Sequence, residues 1–80
     1  MTDSILRLPS VKTSTGLSRS TIYLRIAQGE FPKPVSLGGR AVGWPASEVA
    51  ALNSARIAGK SNAEIRDLVA KLEAARKTVA

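Results

Sequence analysis

Apolar residues recur at three- and four-residue spacings in two parts of the chain, and this spacing predicts helices. Ile22 and Ile26 lie one turn apart and predict a helix from about Arg19 to Gln28, with both side chains facing the core. A longer stripe predicts a final helix from Ser61 to Lys77, opened by an S-x-x-E pattern that caps helix starts. The members of that stripe are Ile65, Leu68, Val69 and Leu72.

Between these helices the pattern changes to alternation, which is typical of half-buried strands. The two alternating segments are Val35–Leu37 and Arg40–Trp44, and Gly38–Gly39 between them is a hairpin turn signal. A two-stranded hairpin is marginal in water by itself, so we expect its apolar side chains to pack on the helices. Those side chains are Leu37, Val42 and Trp44.

The stretch from Thr15 to Tyr23 has the features of a turn that leads into a helix. Gly16 is a turn residue, because glycine adopts positive φ without steric cost. Ser18 is placed to cap the helix that follows. Together with a short first helix from about Pro9 to Ser14, this arrangement predicts a helix-turn-helix with the hairpin as a wing.

The remaining segments complete a small fold. Met1–Leu6 is expected to be a loose arm. Pro45 suits the first turn of a third helix that continues to about Ala58, with Val49 and Leu52 facing inward and Ala50 as a close-packing filler. The predicted fold class is mainly α with a small β-hairpin, a winged helix-turn-helix followed by C-terminal helices.

Positive charge is concentrated where the helix-turn-helix and the hairpin are predicted. The 80 residues contain 12 Lys and Arg against six Asp and Glu, a formal net charge of +6. Before Pro45 six bases oppose two acids, whereas from Pro45 onward six bases oppose four acids. A small basic domain favours a polyanionic partner, and nucleic acid is the first candidate.

Cysteine and histidine are both absent from the chain. Disulfides, thiolate or imidazole metal ligands and catalysis by either residue are thereby excluded. The scattered carboxylates form no obvious pair, so we expect no enzymatic activity, no cofactor and no metal. With no apolar run of membrane-spanning length and no signal-peptide pattern, we expect a cytoplasmic, nucleoid-associated protein without a membrane partner.

The residues predicted to bind DNA are basic or hydroxyl-bearing and are centred on the second helix. Arg19 is the leading candidate for a base contact, because arginine can bind guanine through two hydrogen bonds. Lys12, Lys33 and Arg40 are expected to hold the phosphate backbone. The full set is Lys12, Ser18, Arg19, Ser20, Thr21, Tyr23, Arg25, Lys33 and Arg40.

Three blocks of the sequence, in this order, resemble the AlpA family of small phage and prophage regulators. They are G-L-S-R-S-T-I-Y, G-E-F-P-K-P-V and L-G-G-R-A-V-G-W followed by S-E-V, and they cover roughly Arg7 to Ala58. Family members often have a basic residue directly after the tyrosine, where this chain has Leu24 followed by Arg25. The resemblance implies a MerR-like or excisionase-like winged helix-turn-helix that binds DNA and regulates transcription of prophage genes.

The expected division is a winged helix-turn-helix DNA-binding domain at residues 1–60 and a C-terminal helical extension at residues 61–80. One monomer of this size reads few base pairs, so a homodimer or a cooperative oligomer on double-stranded DNA is expected, with the extension as the candidate self-association element. The alternative interpretation of its apolar stripe is that it covers the domain's own core. Integrase and RNA polymerase are candidate further partners.

Three alternative functions are considered for the sequence. The chain could be an excision factor that bends DNA for an integrase. It could be a protein-interaction helical module, in which case Leu68 and Leu72 would matter and Arg19 and Arg40 would not. RNA binding is disfavoured, because only three aromatic residues are present and two are expected to be buried.

Overall fold

The computed structural model describes residues 3–76, which form four helices and one three-stranded antiparallel sheet. The predicted fold class is therefore confirmed. The predicted end of the last helix at Lys77 lies outside the described residues. The elements are β1 Ile5–Leu6, α1 Leu8–Thr15, α2 Arg19–Ala27, β2 Val35–Gly38, β3 Ala41–Pro45, α3 Ala46–Ile57 and α4 Asn62–Ala75.

The helix-turn-helix forms from the predicted local signals. Gly16 has φ of 73°, and its N–H donates to the carbonyl of Lys12 at 2.8 Å, which ends α1 in the left-handed conformation. The hydroxyl oxygen of Ser18 accepts from the N–H of Thr21 at 3.3 Å and caps α2. The caps fix where α1 ends and where α2 begins.

The prediction that Met1–Leu6 is a loose arm is wrong for Ile5 and Leu6. These residues form β1, in which Ile5 pairs with Pro45 and Leu6 with Trp44, so the strand order is β1-β3-β2. Leu6 also packs against the hydrophobic core. The wing is thus a three-stranded sheet rather than a bare hairpin, and the third strand supplies the support that two strands lack.

The prediction that Leu37 packs on the helices is wrong, because this residue is 44% exposed. It lies with Ile5 over Gly43 on the outer face of the sheet, where a Cβ on Gly43 would collide with Ile5 and crowd Leu37. The absence of a side chain at Gly43 lets these two residues come together across β3. Trp44 points to the opposite face and is fully buried, as predicted.

The core is built around Trp44, whose indole Nε1–H donates to the carbonyl of Pro32 at 2.9 Å. Ala50 is exposed, so its predicted packing role is wrong; Ala55 is the buried alanine of α3. The reason is the three-residue spacing of the inward face of α3, which passes through Val49, Leu52 and Ala55. The rest of the core is Val11, Ile22, Phe31, Ile65 and Val69.

The apolar stripe of α4 contributes directly to this same core. Ile65 is 0% and Val69 4% exposed, while Leu68 and Leu72 are partly buried against the cluster. The predicted capping box is confirmed, because Ser61 accepts from the N–H of Glu64 and Glu64 from the N–H of Ser61. The core-covering interpretation accounts for Ile65 and Val69; pairing of copies through α4 stays a prediction.

The start of α3 is capped from the N-terminal segment, since Pro45 occupies its N-cap position without a side-chain acceptor. The carboxylate of Asp3 accepts from both the N–H and the hydroxyl of Ser47, at 3.1 and 2.5 Å, and the N–H of Ala46 donates to the carbonyl of Ser4. The hydroxyl of Ser47 lowers the pKa of Asp3 below its ordinary value. The first donors of α3 are therefore satisfied by residues far away in sequence.

Candidate nucleic-acid interface

The N-terminus of α2 carries a cluster of exposed hydroxyl groups. The hydroxyl of Ser18 lies 2.9 Å from that of Thr21 and 3.2 Å from that of Ser20. The Ser18 hydroxyl thus hydrogen-bonds to both of the others at the start of the helix, where the helix dipole favours an anion. The structure therefore brings together three of the predicted residues in a position that suits phosphate or base edges.

Arg19 and Tyr23 form a connected pair on one flank of α2. The guanidinium carbon of Arg19 lies 5.7 Å from the centre of the Tyr23 ring, a cation–π geometry. The same ring meets Trp44 edge to face, with ring centres 6.3 Å apart. Tyr23 is 38% exposed, so one part of its ring packs on the core and another part is at the surface. Its contact with Arg19 restricts the conformations that the Arg19 side chain can adopt.

The side of α2 that points away from the core has the apolar side chain of Leu24 at its centre. Ser20, Leu24 and Ala27 are exposed, and they lie opposite the fully buried Ile22 on the helix. Leu24 is 57% exposed and is the largest side chain of the three. The predicted hydrogen-bonding residues Arg19 and Thr21 lie to either side of this centre.

The other predicted residues are distributed around the helix-turn-helix and the wing. Lys12 is exposed in the last turn of α1, and Arg40 is exposed in the turn between β2 and β3. Lys33 is exposed in the segment that leads from α2 to the wing. Arg25 is half-buried and lines a pocket of about 240 Å³ with Glu30, so it lies on the flank away from Tyr23.

The segment around Lys33 is held by α4. The backbone N–H of Lys33 donates to the carboxylate of Glu73 at 2.9 Å, and the backbone carbonyl of Lys33 accepts from Arg76 at 2.7 Å. Arg76 also pairs with Glu48, whose side chain is only 7% exposed, and this hydrogen bond raises the pKa of Arg76 above its ordinary value. The backbone of Lys33 is therefore fixed, while its ammonium group stays at the surface.

Ion pairs divide the basic residues into two groups. Within residues 3–76, every basic residue from Pro45 onward has an acidic partner. These paired bases are Arg56, Lys60, Arg66, Lys71 and Arg76. The bases before Pro45 form no ion pair in this described part of the chain; they are Arg7, Lys12, Arg19, Arg25, Lys33 and Arg40. The unpaired positive charge therefore belongs to the helix-turn-helix and the wing.

Two residues of this surface were not among the predicted DNA-binding residues. Arg7 is exposed at the N-cap of α1 and has no acidic partner in the described residues. The one indication for Arg7 in the sequence is that it is one of the six bases before Pro45. The spacing of Ile22 and Ile26 put Leu24 on the opposite side of the predicted helix, but the sequence left open whether a base methyl, another subunit or the wing covers it.

Over residues 3–76, no cluster of three or more Asp and Glu side chains could hold a metal ion. The described helices are also too short and too polar to cross a membrane.

Comparison with known proteins identifies the relatives of this chain. The family described as prophage CP4-57 regulatory protein (AlpA) matches residues 4–57. A protein of Enterobacteria phage P4 named "Uncharacterized protein ORF88" is 55% identical over 58 residues, which cover 72% of this chain and 66% of the phage protein. The chain thus spans just under two thirds of that relative's length. No solved structure matches the chain significantly.

The family match contains α1, α2, the whole sheet and α3, whereas α4 lies beyond it. The predicted resemblance is confirmed by a match to more than half of the chain. The protein belongs to the AlpA family of prophage regulatory proteins.

Proposed function

We propose that this protein is a double-stranded DNA-binding transcriptional regulator of prophage or mobile-element genes. The observation that carries the proposal is the segregation of charge, in which the bases of the helix-turn-helix and the wing have no acidic partner among residues 3–76. Unpaired bases on one part of a small domain are the electrostatic footprint of a polyanion-binding surface. Membership of a regulatory family supports DNA as that polyanion.

In this proposal α2 enters the major groove, which is wide enough for an α-helix. Arg19 contacts a base edge, and its stacking on Tyr23 reduces the side-chain freedom lost on binding. The hydroxyl cluster of Ser18, Ser20 and Thr21 donates to phosphate or base edges at the helix start. The protein acts by binding alone, without a catalytic step.

The wing and α1 hold the DNA backbone on either side of α2. Arg40 at the wing turn reaches flanking phosphate or the minor groove, and Lys12 and Lys33 bind phosphate. The fixed backbone of Lys33 helps to define where its ammonium group can reach. These contacts set the register of α2 on the duplex and contribute sequence-independent affinity.

The size of the molecule favours several copies on one regulatory region. Its longest extent is 34 Å, which is about one turn of B-DNA. A single copy therefore reads one short site, and useful specificity requires repeated sites filled by a dimer or by neighbouring copies.

Selection of bound duplexes from a random pool, followed by footprinting of the winning sequence, tests this function. We expect one enriched site per copy, with protection of about one helical turn. Arg19→Ala should abolish enrichment at one position of the site, whereas Lys71→Ala, which removes a paired base of α4, should leave the site unchanged. Failure to enrich any sequence at moderate salt would contradict a sequence-specific regulator.

A further inference from the structure

We propose that Leu24 reads a thymine by packing its side chain against the 5-methyl group in the major groove. The inference rests on the DNA-binding function proposed above and adds a specificity-determining residue to it. The predicted DNA-binding residues act through hydrogen bonds, charge or an aromatic ring, and none of them is aliphatic.

The position of Leu24 on α2 leaves its side chain free to meet a partner. It is 57% exposed, although Ile22 two residues earlier is fully buried. It lies one turn after Ser20 and one turn before Gln28, and both of these neighbours are also exposed. Leu24 therefore stands at the centre of the exposed face of the helix.

The surroundings of Leu24 narrow the chemistry of that partner. Arg19 and Arg25 flank the exposed face, and neither has an acidic partner within residues 3–76. The matching surface is therefore anionic at its margins and apolar at its centre. The DNA major groove has this arrangement, because phosphates line its edges and the thymine methyl is the apolar group on its floor.

Two other occupants fit this face less well. A second copy of the chain would bring the same unpaired bases towards Arg19 and Arg25, and like charges oppose such a contact. RNA contains uracil, which lacks the methyl group, and the major groove of an RNA helix is too deep and narrow for side chains to read.

Replacing thymine by deoxyuridine in the selected site, one position at a time, tests the inference directly. This change removes only the methyl group, so the loss of its contact should weaken binding of the wild-type protein about fourfold at one thymine or two adjacent ones. Leu24→Ala should bind the thymine site less tightly and should no longer distinguish thymine from deoxyuridine at that position. Because Leu24 is exposed, this variant should keep the wild-type melting temperature.

Ile57→Ala provides a matched control, since Ile57 is an 86% exposed aliphatic residue at the end of α3. It should bind both duplexes as the wild type does. Equal sensitivity to deoxyuridine in wild type and Leu24→Ala at every position would overturn the inference while leaving the proposed function intact. Absence of any specific site in the preceding selection would instead contradict the proposed function, and the inference with it.

Discussion

Basic side chains occur at similar density in the two halves of the chain, but their surroundings differ. From Pro45 onward the described bases contact carboxylates. One of the resulting ion pairs joins the C-terminal segment to α3, and others join α3 and α4 to Glu30 in the segment after α2. Before Pro45 the described bases have no such partner in residues 3–76. The same residue types therefore stabilise the fold in one half and leave charge for a partner in the other.

The two groups differ in their acids as well. Glu30, one of the two acids before Pro45, pairs with Arg66 at 2.9 Å and with Arg56 at 3.8 Å. The other, Asp3, caps α3. No acid of the first half is left near the hydroxyl cluster of α2 in the described structure. We therefore expect substitutions of basic residues after Pro45 to reduce stability, and substitutions of basic residues before Pro45 to reduce DNA binding.

The largest expected effect on stability is at the buried pair of Arg76 and Glu48. Arg76→Ala leaves the 7% exposed carboxylate of Glu48 without its partner and frees the carbonyl of Lys33. We expect a loss of about 2–3 kcal/mol in the free energy of unfolding, below the usual cost of breaking a fully buried pair because Arg76 is partly exposed. Urea denaturation measures the loss.

Lys71→Ala is the matched control for this substitution, because Lys71 pairs with Asp67 on the exposed face of α4. Its cost should stay below about 0.5 kcal/mol. Equal losses in the free energy of unfolding for the two variants would show that the Glu48–Arg76 pair does not stabilise the packing of the C-terminal segment on α3.

Next in size is the effect of Arg19→Ala on DNA affinity. Loss of a bidentate guanine contact should weaken specific binding by about 1–3 kcal/mol and relax preference at one base pair. The free energy of unfolding should change little, since Arg19 is exposed and its guanidinium contacts the ring of Tyr23 at the surface. Titration of labelled duplexes with each base at that position measures the preference. If Arg19→Ala lowered stability and left DNA affinity unchanged, Arg19 would be a residue of the fold and not of the DNA interface.

The two capping serines provide a smaller and more selective comparison. Ser18→Ala and Ser61→Ala each remove an oxygen that accepts from a helix N–H, so each should cost about 1 kcal/mol in the free energy of unfolding. Only Ser18→Ala should also reduce DNA affinity beyond that, because its hydroxyl belongs to the cluster at the start of α2. Binding measured well below the melting temperature separates the two effects. Equal DNA affinity of the two variants would show that the hydroxyl cluster does not contact DNA.

The smallest expected effect is the acid dependence of stability. Hydrogen bonds from Ser47 lower the pKa of Asp3 below 3.8, and those from Ser61 lower the pKa of Glu64 below 4.5. Both contributions are therefore present above about pH 4.5 and are lost as the pH falls through the lowered values. Asp3→Asn should flatten the acid limb of the stability profile measured by thermal unfolding. An unchanged limb would show that Asp3 does not cap α3.

Elements with local signals were predictable from the sequence. The α2 helix has a capping serine and a preceding glycine turn within a few residues, and α4 has its capping box and apolar stripe. The exposed hydroxyls of Ser18, Ser20 and Thr21 follow directly from the start of α2. The leading candidate Arg19 could likewise be placed at the first residue of the helix.

Features that depend on distant partners were not predictable. β1 has two residues and exists only because β3 pairs with it, and the outward position of Leu37 depends on Ile5 across the sheet. Glu48 and Arg76 are 28 positions apart, so the charge sequence could not show which bases are neutralised. The separation into paired and unpaired bases therefore required the three-dimensional structure.

The salt dependence of DNA binding tests the central claim most directly. About five phosphate contacts should give a slope of the logarithm of affinity against the logarithm of salt near −4 to −5, and Lys33→Ala or Arg40→Ala should each reduce its magnitude by about 0.9. Lys71→Ala should leave the slope unchanged. A slope near zero, or a slope that falls for Lys71→Ala but not for Lys33→Ala and Arg40→Ala, would contradict the assignment of the unpaired bases to DNA.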